Sequence, residues 1–188
     1  MIIDWNNKSI YVKIVYYGPA MSGKTTTMKK LFQKINPAQE IKSIETTTGR
    51  TLFFDYAPMC IPQRDWRIQV EVWTATGQNY YAETRLTVLS NADGIVFVAD
   101  SQKKYLDENL RSWNELTSFF GDSLEKTIPV VVSMNKYDLG EVATENELRN
   151  FLNSNKNTVY LKNIATIGFN VVEAFKIVLE KIFHQIFR

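Results

Sequence analysis

Gly18-Pro-Ala-Met-Ser-Gly23-Lys24-Thr25 is the stretch that decides the fold of this chain. It has the form G-x-x-x-x-G-K-[ST]. It follows an apolar run, Ile10-Tyr-Val-Lys-Ile-Val-Tyr-Tyr17, and opens a helix-like segment over Thr25–Ile35. Strand, glycine loop and helix in that order make a cradle for phosphate. The glycines let the backbone curl so that successive N–H groups point inward, and the helix N-terminus adds a positive dipole end. The phosphate-contacting set is expected to be Gly18, Ala20, Ser22, Gly23, Lys24, Thr25 and Thr26. Within it, Lys24 is placed to reach the β- and γ-phosphates and the Thr25 hydroxyl to ligate Mg²⁺.

Outward from this loop, apolar β-rich runs alternate with helical stretches. That pattern predicts an α/β fold with a mostly parallel sheet flanked by helices. Strands are expected over Ile10–Tyr17, Thr51–Tyr56, Arg67–Thr74, Gly94–Ala99, Pro129–Met134 and Thr158–Leu161. Ile95–Ala99 and Val130–Val132 are apolar without alternation, as strands buried on both faces should be. Helices are expected over Thr25–Ile35, Tyr81–Ala92, Tyr105–Phe120, Thr144–Ser154 and Val171–Phe187. Thr144-Glu-Asn-Glu147 reads as a capping box. The stripe Leu106, Leu110, Trp113, Leu116, Phe120 and the stripe Val171, Phe175, Val178, Leu179, Ile182, Ile186 read as core faces. The polar stretch from Asn36 to Gly49 and the proline-punctuated Ala57–Asp65 read as connections, the second a hairpin loop.

Composition narrows the function classes. The 188 residues suit a single domain, 1–188, with a real core. A formal net charge of +2 gives no reason to expect a nucleic-acid partner. Cys60, the lone cysteine, permits no internal disulfide and suits a reducing, cytoplasmic setting; it reads as a loop or core thiol. No signal peptide, membrane-spanning run or lipidation motif is expected. Trp5 and Tyr11 read as packing residues, and His184 as a surface residue of the last helix.

A phosphate loop alone fits kinases, ATPases, transporters and GTPases. Asn135-Lys136-Tyr137-Asp138, directly after the apolar strand ending at Met134, discriminates between them. A carboxylate at Asp138 can accept two hydrogen bonds from N1–H and N2–H₂ of guanine. Adenine offers no such pair and would leave it desolvated and unpaired. Asn135 can tie this loop to the phosphate loop, and the Lys136 stem can lie against the base. Asp100-Ser-Gln102 reads as a cap for the following helix.

With these pieces in place, the chain resembles the MglA-type (bacterial gliding-motility and polarity) branch of the Ras-like small GTPases. The matching stretches are Lys13–Pro19, Gly23–Thr26, Arg50–Asp55, Thr74-x-x-Gly-Gln78, Val96–Gln102 and Asn135–Leu139. The resemblance implies a Ras-like G domain that binds GTP or GDP with Mg²⁺ and hydrolyses GTP slowly unless assisted. It implies that Gly77 contacts the γ-phosphate and that Gln78 orients the attacking water. Arg50 would act as an arginine finger from the protein's own loop, and Thr51 as a second magnesium ligand. Ala165 would meet guanine O6 through its N–H. It further implies a roadblock-domain partner that turns the protein off, downstream effectors, and a role in polarity or motility. Arg50 as a solvated loop charge is the plainer alternative, and Tyr80 and Tyr81 could pack internally or face a partner. Thr74 stands where most relatives carry Asp, a hallmark of this branch, so altered magnesium support is expected. Ala20 replaces the usual glycine and could crowd Gln78, and Gly49 replaces an acidic residue. Ala20 and Thr74 also support a second reading, a nucleotide-loaded scaffold with little hydrolysis.

Overall fold

The computed structural model describes residues 1–44, 54–75 and 82–186. Its strands are β1 (Ile2–Asp4), β2 (Ser9–Tyr17), β3 (Lys42–Ile44), β4 (Phe54–Gln63), β5 (Trp66–Ala75), β6 (Gly94–Asp100), β7 (Val130–Asn135) and β8 (Val159–Lys162). Its helices are α1 (Lys24–Ile35), α2 (Ala82–Leu89), α3 (Leu106–Phe120), α4 (Glu145–Leu152) and α5 (Val171–Ile186). One sheet runs in the order β3-β4-β5-β2-β6-β7-β8, with β1 paired to the start of β2. From β5 to β8 every pairing is parallel, whereas β3–β4, β4–β5 and β1–β2 are antiparallel.

Alternate residues of β2 feed two cores. Ile10, Val12, Ile14 and Tyr16 join Met28, Leu31 and Phe32 of α1 and Phe175, Val178 and Ile182 of α5 on one face. Val15 and Tyr17 join Val88 and Leu89 of α2, Trp113 and Leu116 of α3 and Leu148 of α4 on the other. β6 is buried along its whole length, which is why its sequence carries no polar alternation. Gly94 opens β6 because a Cβ there would sit 2.8 Å from Ile182 Cδ1, so α5 rests almost directly on the strand backbone. Both expected helical stripes face these cores, Leu106, Leu110 and Phe120 being partly buried; the Ile186 side chain lies outside the description. The capping box at Thr144 and Glu147 is formed in both directions.

The largest difference from expectation lies in β4. The segment expected as a hairpin loop continues as strand to Gln63, and only Arg64-Asp65 turn, with Arg64 at φ +53°. Pro58 and Pro62 mislead because prolines usually interrupt strands. A two-residue turn makes Gln63–Trp66 a hydrogen-bonded pair, so Ile61, Met59 and Ala57 bond to β5 while Pro62, Cys60 and Pro58 turn their backbone outward. A proline needs no N–H partner there. Cys60 is therefore an exposed strand residue, not a loop or core thiol. The short β1 and β3 fall in stretches without alternation and went unexpected. Trp5 is 73% exposed and Tyr11 42%; Trp5 packs edge-to-face on Trp66 at 5.2 Å. None of the described helices is long and apolar enough to cross a membrane.

Candidate functional site

The site lies at the carboxyl ends of the parallel strands, where such sheets place their ligands. The loop after β2 curls through Gly18 (φ +143°), Met21 (φ +59°) and Gly23 (φ +100°). At Gly18 a Cβ would stand 2.3 Å from the Val98 carbonyl oxygen, so only glycine lets the loop lie on β6. Gly23 ends the loop and starts α1, whose first residue is Lys24. The Lys24 side chain is buried and turns back over the loop. Its Nζ donates to the carbonyls of Gly18 (2.9 Å) and Pro19 (2.6 Å). Burial, reinforced by the nearby Arg85 charge, pulls its pKa down to about 7. An ammonium so short of water, and without a carboxylate partner among the described residues, is poised for a polyanion. Ala20 and Thr26 are exposed at the loop, and Ser22 is buried.

Asn135, at the end of β7, joins two loops. Its Nδ2 donates to Ser22 O (2.7 Å) and its Oδ1 accepts from Ala165 N (2.9 Å). A Cβ at Gly23 would meet the same amide at 2.2 Å, which is a second reason for glycine there. Around this junction Asn163 N bonds Met134 O, Tyr137 N bonds Asn163 O, and Lys34 of α1 donates to Gly168 O. Asn135, Lys136, Asp138 and Ala165 are thus gathered at one edge of the phosphate loop. Asp138 is exposed there.

Sequence reading missed Asp55. It lies opposite Thr74 in the β4–β5 ladder, on the face toward α1. Its Oδ2 accepts from Thr25 Oγ1 (2.7 Å) and from Thr74 Oγ1 (3.0 Å), and its N–H donates to Thr74 Oγ1 (3.1 Å). A threonine hydroxyl that gives its proton to a carboxylate turns its lone pairs outward. Thr25, Asp55 and Thr74 are hard oxygen donors at the start of α1, and they fit a magnesium ion held against phosphate. The signal available in the sequence was the parity of β4, which puts Asp55 on the face of buried Ala57 and Met59. The expected cap at Asp100 is also corrected. α3 starts at Leu106 with Tyr105 as its cap residue, and Asp100 instead takes Lys136 Nζ at 2.6 Å. Arg50, Thr51, Gly77, Gln78, Tyr80 and Tyr81, as well as Gly49, lie outside the described residues.

A glycine phosphate loop cross-braced to an Asn-Lys-x-Asp loop, at the carboxyl edge of a parallel sheet, defines a phosphate-loop nucleotide-binding protein of the α/β class. Comparison with known proteins narrows the class. The family Roc (Ras of Complex, Roc, domain of DAPkinase) matches residues 13–138. The "Mutual gliding-motility protein MglA" of Myxococcus xanthus (strain DK1622) is 34% identical over 190 aligned positions, covering 98% of this chain and 96% of that protein. The Ras-related protein Rab-7b of Bos taurus is 25% identical, covering 93% of this chain and 83% of its own. RABG3f of Arabidopsis thaliana is also 25% identical, covering 88% of this chain and 79% of its own. The chain belongs to the MglA-type branch of the Ras-like small GTPases and is a GTPase, converting GTP to GDP and phosphate.

Proposed function

We propose that residues 1–188 form one guanine-nucleotide domain acting as a polarity or motility switch in the cytoplasm, on with GTP and off with GDP. The name of the Myxococcus relative supports the motility setting. The observation that carries the reading is the Asn135 junction, which couples the phosphate loop to the loop that would read the base. Its partners in this reading are effectors of the GTP state and a roadblock-domain protein that speeds hydrolysis. Membership of the Ras-like GTPase family favours this reading over the scaffold with little turnover.

Each residue then has a task. Lys24 meets the β- and γ-phosphates with its ammonium fully charged. Backbone N–H groups from Ala20 to Thr26, with Gly18 shaping the bend, line the phosphates. Magnesium, when bound, neutralises charge between the phosphates. Thr25 and Thr51 would ligate it, with Asp55 aligning the Thr25 hydroxyl and supplying the carboxylate that Thr74 lacks. Asp138 accepts the guanine N1–H and N2–H₂, Lys136 covers the base, and the Ala165 N–H faces O6. Gly77 donates to the γ-phosphate. Gln78 orients water, and Arg50 steadies charge on the γ-phosphoryl oxygens as it departs.

Nucleotide competition tests the base reading. GTP and GDP should displace fluorescent GDP where ATP does not. Asp138→Asn should shift preference toward xanthine nucleotides, whose C2 oxygen needs a donor; equal binding of ATP and GTP by the native protein overturns it. Arg50→Ala and Gln78→Leu should bind GTP yet resist roadblock-stimulated turnover. Full stimulation of Arg50→Ala would place the finger elsewhere.

A further inference from the structure

The phosphate loop and the Asn-Lys-x-Asp loop do not account for Asp100. Its carboxylate sits at the carboxyl end of β6, 5% exposed, beside the loop that would read the base. Oδ2 takes the Lys136 ammonium at 2.6 Å, while Oδ1 accepts from Gln102 N (3.1 Å) and Gln102 Nε2 (3.0 Å). The Asp100 backbone is fixed as well. Its N–H donates to Asn109 Oδ1 (3.0 Å), and its carbonyl accepts from Asn109 Nδ2 (2.8 Å). Asn109 is fully buried in α3, so one side-chain amide continues the sheet's hydrogen bonding past its last strand pair. The Lys136 side chain is 26% exposed, and its backbone takes a left-handed turn at φ +60°. Its ammonium also stands 5.7 Å from the centre of the Tyr105 ring.

We infer that Asp100 is a positioning residue for base recognition: by holding the Lys136 ammonium it lays the lysine stem along the place of the base and slows nucleotide release. This rests on the reading of Asn135–Asp138 as the guanine loop. An unpaired lysine with four rotatable bonds samples many positions and covers a base poorly. Pinned at Nζ by a carboxylate that cannot move, it keeps one path between Cα and Asp100. The pair is mostly withdrawn from water, so removing one partner leaves the other charge uncompensated and frees the arm. Lys136 thereby links β6 to β7 through its charge, and it covers the base with its methylenes rather than with its ammonium.

The test is release of fluorescent GDP from the intact, GDP-loaded protein. Asp100→Asn preserves shape and can still accept from Gln102, but it drops the charge. Release is expected to accelerate about tenfold, equivalent to about 1.4 kcal/mol. Lys136→Met keeps an apolar stem without the ammonium and should also release GDP faster than the native protein. The decisive measurement is the double variant. On a Lys136→Met background, Asp100→Asn should add nothing, because the group it positions is gone. If Asp100 were needed only to shape the β6 end, its effect would persist on that background, and the inference would fail. Native release rates in Asp100→Asn also overturn it. Asp100→Glu, with its longer arm, gives an independent reading should Asp100→Asn fold poorly. It should release GDP at an intermediate rate on the native background and change nothing on the Lys136→Met background; a change that persists there again overturns the inference. Failure of the guanine reading is distinguishable, since ATP would then compete with GTP on the native protein itself.

Discussion

Replacing Asp55 by Asn should raise the magnesium needed to retain nucleotide by about tenfold. The carboxylate accepts from Thr25 Oγ1 at 2.7 Å and from Thr74 Oγ1 at 3.0 Å. Asn keeps an acceptor oxygen in nearly the same place but removes the charge. A hydrogen bond to a charged group is worth about 1.5–3 kcal/mol and a neutral one about 0.5–1.5 kcal/mol, so the Thr25 contact alone loses about 1–1.5 kcal/mol. About 1.4 kcal/mol is tenfold in an equilibrium constant. The weakened donation also lets the Thr25 hydroxyl rotate, so its lone pairs no longer face the ion by default. The assay is the rate of GDP release across a magnesium titration, read as the concentration at half-maximal retention. Thr74→Asp added to Asp55→Asn should restore retention by supplying the carboxylate from β5 in place of β4. An unshifted midpoint in Asp55→Asn would refute the reasoning, because the carboxylate would then be irrelevant to the ion.

The Lys24 ammonium, pulled down to about 7 in the free protein, must regain its proton when phosphate binds. GDP affinity should therefore be full below about pH 7 and fall by up to about tenfold per unit above it, while Lys24→Met gives a flat profile; a flat native profile contradicts this. The same depression means the free protein gains stability as pH rises above about 7. Gly23→Ala drives a Cβ to 2.2 Å from Asn135 Nδ2, so the amide must withdraw from Ser22 and Ala165. Losing two hydrogen bonds and straining the φ +100° backbone should cost roughly 2 kcal/mol, seen as a lower melting temperature and faster GDP release. Ala20→Gly should speed single-turnover GTP hydrolysis severalfold with GTP affinity unchanged, and equal rates would show that the methyl crowds nothing.

What could be read in advance follows from how local each signal is. The phosphate loop, the buried strands β6 and β7 and the capping box at Thr144 are contiguous in sequence, and each is formed where expected. The Asn-Lys-x-Asp loop was legible as a motif because its four residues are consecutive, and the Asn135 tie to Ser22 follows from its place beside the glycine loop. Asp55 was not, since its meaning depends on a register with Thr74 that only the folded hairpin creates. Asp100 was misread for a related reason. Asp-Ser-Gln before a helical stretch has the composition of a cap, and nothing local says that Lys136, on another strand end, will claim its carboxylate. The full length of β4 is not legible locally, because nothing in the sequence says which way the missing N–H of Pro58 and Pro62 will point until the hairpin with β5 forms.

Those two prolines also govern how the molecule meets extended peptide. Beyond β3, the outer rim of β4 turns three residues outward, Pro58, Cys60 and Pro62. Two of these have no proton to give, so along this stretch Cys60 alone can offer a backbone donor. A newcomer strand laid along the rim would find carbonyls but scarcely any matching donors, and could not zip on. Copies of the protein crowded together would be denied this route to an endless shared sheet. A partner approaching from that side must recognise the surface by its side chains and its shape.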